Sequence, residues 1–154
     1  MRKIYSTNTK MNNGIFTFDS IQVFFKHTDS HGFVHPYNYL EWTSYVREAF
    51  FQENVPMFTK ILQRPIKMMT SKISSQLLRD NTFGDILKAQ LTISKIKKCS
   101  FDVIVRFINK TDGLVDCFTI HTLVFIDSRN EKFTFIPEEL KNAVVCFEEL
   151  ENGT

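Results

Sequence analysis

Apolar residues keep helical spacing over one long stretch of this chain, and nearly everything after that stretch alternates with a period of two. Tyr39, Trp42, Val46, Ala49 and Phe50 recur at three- and four-residue intervals and make a single apolar face. Asn38 followed by Glu41 reads as a cap at the start of that helix, with Asn at the N-cap and Glu at N3, and Pro56 closes it after residue 53. Beyond Pro65 the pattern predicts strands over 66–78, 85–97, 100–109 and 114–126. Leu87, Ala89, Leu91 and Ile93 share one face of the second of these, and Phe101, Val103, Val105 and Phe107 share one face of the third. Phe83-Gly84-Asp85 and Thr111-Asp112-Gly113 supply turns between them.

A single long helix has one obvious place to bury its stripe, the concave face of an antiparallel sheet, so the fold class is α+β. Ahead of the helix, 15–26 is rich in Phe, Ile, Val and Thr and predicts a further strand, clearest across Ile21-Gln22-Val23-Phe24-Phe25. A short second helix is expected from Pro137-Glu138-Glu139-Leu140, where Pro suits a first turn and acidic residues suit the positive end. Residues 1–13 are polar and aperiodic and read as a loose arm on one domain spanning 14–154.

Composition narrows the function. A net charge of +2 is too mild for a nucleic-acid binder, which needs a basic face. Lys95, Lys97 and Lys98 form a local cluster, either a solvated edge or a contact for an anionic, phosphate-bearing ligand. Cys99, Cys117 and Cys146 are odd in number, far apart and without metal-ligand spacing, which suits reduced thiols. Arg2 and Lys3 lead into polar residues, and no stretch approaches the ~20 apolar residues of a membrane span. The expectation is a soluble, cytoplasmic protein with no membrane or nucleic-acid partner.

The segment from Val23 through His27-Thr28-Asp29-Ser30-His31-Gly32-Phe33-Val34 runs into Tyr39-Leu40-Glu41-Trp42. It resembles the signature of the 4-hydroxybenzoyl-CoA thioesterase-like family: an aspartate (Asp29), a glycine three residues on (Gly32) and a tyrosine ten residues on (Tyr39). Arg47, Phe83-Gly84-Asp85 and Leu123-Val124-Phe125-Ile126-Asp127 extend the likeness over about 20–145. Arg47-Glu48-Ala49-Phe50-Phe51 is also similar to the thioesterases of enediyne polyketide assembly. The resemblance implies a hotdog fold and hydrolysis of acyl-CoA or acyl-carrier-protein thioesters without metal or organic cofactor. It further implies a homodimer whose sheets join, often paired into a homotetramer, with the site at the subunit boundary.

By the same resemblance Asp29 acts on the thioester carbonyl, as nucleophile or as general base toward water. A local backbone turn is the competing role for an Asp so close to a Gly. Gly32 is conformational, allowing a close approach of backbone to ligand or a positive φ, with no chemical role of its own. His35 orients water or substrate, or stands idle in its loop; Asn38 contacts substrate or caps the helix. Tyr37 and Tyr39 fall to substrate binding or, for Tyr39, to the core. Arg47 reaches a carbonyl in the tunnel or pairs with Glu48 or with neighbours near Glu41. Phe33, Phe50 and Phe51 are candidates to line an acyl channel, and His121 reads as a sheet histidine.

Pro36 departs from the family pattern. In the best-known branch a main-chain N–H at about this position polarises the carbonyl, and proline has none. The oxyanion then falls to the N–H of Tyr37 or Asn38, or to the Asn38 side chain. Two other functions share the pattern: a hotdog module that binds an acyl thioester or a protein without turnover, and a dehydratase or hydratase, which would need a His with a carboxylate.

Overall fold

The computed structural model describes residues 5–6 and 14–149. Its elements are β1 (Tyr5–Ser6), β2 (Phe16–Gln22), α1 (Tyr37–Asn54), α2 (Phe58–Ile61), β3 (Ile66–Leu77), β4 (Ile86–Ser94), β5 (Ser100–Asn109), β6 (Val115–Asp127), β7 (Lys132–Phe133) and α3 (Glu138–Val145). One antiparallel sheet runs in the order β1-β2-β4-β5-β6-β3, with β7 added on β6. Of the arm expected over 1–13, Tyr5 and Ser6 pair with Ile21 and Ser20; its other residues lie outside the described ones.

The period-two faces are where the sequence puts them. Leu87, Ala89, Leu91 and Ile93 of β4 and Phe101, Val103, Val105 and Phe107 of β5 are all fully buried. The α1 stripe of Tyr39, Trp42, Val46 and Phe50 lies against that face. Tyr39, Trp42 and Phe107 meet edge-on or tilted at 5.3–6.2 Å between ring centroids. Pairs of this kind add about 0.5–1.5 kcal/mol each beyond the area they bury. Thr43 and Thr119 share a buried hydrogen bond of 2.6 Å, which fixes the rotation of α1 over β6.

Three local expectations change. The first strand stops at Gln22, and Phe25–His27 form a turn of 3-10 helix because the Phe24 N–H donates to His27 Nδ1 at 2.9 Å. Asn38 is not the N-cap. The helix starts at Tyr37 behind Pro36, and Asn38 sits inside the first turn as a donor. Phe50 and Phe51 are core residues, packed on Phe16, Phe147, Phe58 and Phe101 rather than open to a channel.

β3 is the exception to burial. Among the described residues it pairs along one side, with β6, and Met69, Ile73 and Leu77 stand exposed along it, followed by Leu78. No helix among the described residues is long and apolar enough to cross a membrane.

Candidate active site

Asp29 lies in a tight reverse loop. Its N–H donates to the Phe33 carbonyl (2.7 Å), and the Gly32 N–H donates back to the Asp29 carbonyl (3.0 Å). Gly32 takes φ +84°, a left-handed conformation costly for any side chain, and so lets the loop close. The Asp29 Oδ1 accepts from the N–H of His31 (2.8 Å) and of Phe33 (3.2 Å). These N–H groups, that of His31 first, hold the exposed carboxyl below the usual carboxylate range. Oδ2 accepts nothing from the described residues, so one oxygen fixes the turn and the other stays free.

The loop is anchored on both sides. The Val34 N–H donates to the Asn81 carbonyl (2.8 Å) and the His35 N–H to the His27 carbonyl (2.9 Å). Asn38, 2% exposed, donates its side-chain amide to the His27 carbonyl (2.8 Å) and the His35 carbonyl (3.2 Å). Its main-chain N–H also goes to His35, at 3.0 Å. Asn38 therefore ties the loop to the helix start with both of its donor groups. The Tyr37 N–H faces only His35 Nδ1, at a long 3.4 Å, and is the least committed donor at this helix start. The exposed rings of Tyr37 and His35 meet at a tilt of 49°, with centroids 4.6 Å apart.

The remaining expected residues lie elsewhere. Tyr39 is buried and its hydroxyl meets the Asn81 side chain at 2.7 Å. Arg47 pairs with neither Glu48 nor a neighbour of Glu41. It crosses to the sheet, donating Nη1 to Thr70 Oγ1 (3.0 Å) and to His121 Nδ1 (3.1 Å). Lys97 and Lys98 border a shallow, mainly apolar cleft of about 460 Å³ with Cys99, Ser100, Val124 and Phe133.

Two histidines gain importance that sequence alone did not give them. His27 is buried, edge-on to Trp42 at 5.1 Å, and lines a polar cleft of about 240 Å³ with Lys26, Tyr37, Asn38, Glu41, Trp42 and Tyr45. Burial, then the Lys26 charge, lowers its pKa, while Glu41 opposes them. Its Nδ1 accepts from Phe24, so the neutral ring carries its proton on Nε2. His121 is 2% exposed, and burial followed by the Arg47 cation lowers its pKa to about 4. Among the described residues, no cluster of His, Cys, Asp or Glu is suited to hold a metal ion.

A sequence profile described as the thioesterase-like superfamily matches residues 23–144, most of the chain. The chain belongs to that superfamily. Its fold is the hotdog, a long helix packed on a curled antiparallel sheet, as the structural likenesses show. A hypothetical protein of Staphylococcus aureus in complex with CoA superposes with a TM-score of 0.78 at 16% identity, over 91% of this chain and 87% of that one. The dynemicin thioesterase, whose crystal structures concern polyene binding, gives 0.79 at 15% identity over 90% and 99%. A 1,4-dihydroxy-2-naphthoyl-CoA thioesterase of Synechocystis gives 0.76 at 18% identity over 85% and 96%. No curated protein matches this thioesterase-like chain by sequence.

Proposed function

We propose that the protein hydrolyses an acyl thioester of CoA or of an acyl-carrier protein, with Asp29 as the carboxylate that works on the carbonyl. The observation that carries this reading is the state of Asp29: ionised, with one oxygen locked in its turn and the other free, in the loop that leads into α1. As nucleophile, Oδ2 adds to the carbonyl carbon, the thiolate leaves, and water cleaves the resulting anhydride. As general base, Oδ2 takes the proton of the attacking water instead. Both routes use the same free oxygen.

The oxyanion falls to the Tyr37 N–H. Pro36 has no N–H, and both donor groups of Asn38 are spent on the loop carbonyls. An N–H at the first turn also carries the positive end of the helix dipole. Gly32 and His35 then shape and border the entry.

An exposed carboxylate works poorly on a carbonyl until water is excluded from it. A second copy of the chain supplies that cover in this reading. β3 favours it: a 12-residue edge strand bearing exposed Met69, Ile73 and Leu77 is a template for pairing with its own copy.

The test is thiol release over a panel of acyl-CoAs, with Asp29→Ala and Asp29→Asn as controls. Both variants should fold normally and lose at least about a hundredfold in turnover, the scale of a lost general base or nucleophile. Tight acyl-CoA binding with no thiol release at any chain length would favour the binding-module reading, which the missing N–H at Pro36 supports. Hydration of an enoyl thioester without hydrolysis would move the chemistry to His27 and Glu41.

A further inference from the structure

Arg47 stands apart from the other arginines among the described residues. Arg64, Arg79, Arg106 and Arg129 each pair with a carboxylate: Glu139, Asp112 with Asp116, Glu149 and Asp127 respectively. Arg47 has none. It rises from α1 to the boundary of β6 and β3, where its guanidinium meets a hydroxyl and an imidazole. Glu48 acts on it only through its field, and burial pulls the guanidinium pKa down.

The chemistry of the contact fixes the tautomer. A guanidinium only donates, so His121 Nδ1 accepts and the imidazole is neutral with its proton on Nε2. That Nε2–H and the Arg47 Nε–H are both buried, and neither finds an acceptor among the described residues. A buried donor without an acceptor costs about 1–3 kcal/mol, and a desolvated cation without an anion costs more. An arrangement serving stability alone would place a carboxylate or an apolar side chain here. Two groups that leave only positive charge and N–H donors unmatched, Arg47 and His121, are instead set together beside the edge strand β3, where Ile73 pairs with His121.

We infer that Arg47, aimed by His121 and Thr70, binds a carboxylate carried by the acyl group, so that the preferred substrate is a thioester whose acyl chain ends in an acid. Arg47 is the binding residue; His121 and Thr70 are positioning residues. Arg47 follows Tyr37 by ten helical residues, or ~15 Å of helix axis, which puts it at the far end of an acyl chain rather than at the carbonyl. Apolar Ile73 beside it suits the methylene stem of such a chain. The inference rests on the thioester reading for the near end of the ligand only.

The phosphates of CoA offer the same charge, so the probes lack them. Titration calorimetry on the whole chain would use unreactive S-(2-oxoalkyl) thioethers of N-acetylcysteamine, in pairs of equal length that end in a methyl or a carboxylate. At its best length the carboxylate member should bind about thirtyfold tighter, the scale of one charge-assisted contact. Arg47→Gln should bring that ratio close to one. Thr70→Val, a change on an exposed strand that leaves folding unthreatened, should lower it several-fold. Equal affinities at every length would overturn the inference, as would a carboxylate preference that survives Arg47→Gln. An Arg47 dependence found only with CoA conjugates would overturn it too, in favour of phosphate. Since nothing is turned over, a protein that releases no thiol yet prefers the carboxylate through Arg47 loses the proposed function and keeps this site.

Discussion

Two arginines reach buried polar groups of the same strand, five residues apart on β6, and they are treated in opposite ways. Arg79 meets Asp116 through Nε (2.7 Å) and grips Asp112 with both Nη atoms (2.7 and 3.0 Å). The buried Asp116 is completed by Asn81, whose amide donates to Oδ2 at 2.6 Å and accepts from the Tyr39 hydroxyl at 2.7 Å. Cation meets anion and donors meet acceptors, and the network joins α1, the loop before β4 and the β5–β6 turn. At His121 the same strand receives Arg47 with no anion and two N–H groups unmatched. The first region has the pattern of a structural lock; the second gives up stability to keep a cation available. The contrast teaches that a buried arginine is read by what completes it.

The largest effect should come from acid. His121 has a folded pKa of about 4 against an ordinary 6.5, so the unfolded chain binds a proton there first as pH falls. Its stability contribution is whole above pH 6.5 and is lost as pH drops toward 4, on the order of 3 kcal/mol. Asp116 works the other way: burial raises its pKa, so its protonation in the fold offsets part of the loss. Urea unfolding of wild type and His121→Phe at pH 7 and pH 4 isolates the first term. Parallel pH curves for the two proteins would mean that the imidazole is not the neutral acceptor described.

Next in size is Arg79→Ala, which strands the Asp116 carboxylate in the fold. Arg79 is itself 39% exposed, so the loss should be about 2–3 kcal/mol, below the ~3–5 of a fully buried pair. Thermal unfolding should then fall by about 5–10 °C. The smallest effect belongs to Arg47→Met, whose stability should stay within about 1 kcal/mol of wild type, because removing an uncompensated cation offsets the loss of the donor to His121 Nδ1. A loss as large as that of Arg79→Ala would erase the distinction between the two regions and make Arg47 a structural residue.

Much of the fold was legible because period two is a local property. The buried faces of β4 and β5 follow directly from alternation, and the α1 stripe follows from helical spacing. The misreadings came where a distant or backward contact decides. Asn38 resembles an N-cap by type and place, yet its amide reaches back eleven residues to His27. The first strand ends early because one imidazole nitrogen captures a backbone N–H. Arg47 and His121 stand 74 residues apart, and only the antiparallel order of the sheet brings them together. At the site the Asp-x-x-Gly spacing gave the loop, but it could not show that Asp29 commits only one of its two oxygens. His27 carried no distinguishing signal, since its burial depends on Trp42 packing over it.

If the free oxygen of Asp29 does the chemistry, thiol release by Asp29→Asn measured against wild type must show its loss. Asparagine retains an oxygen that accepts from His31 and Phe33, so the turn survives while the ionised oxygen is lost. Turnover should fall at least about a hundredfold with unfolding curves superimposed. Near-normal thiol release by the folded variant would take the chemistry away from Asp29.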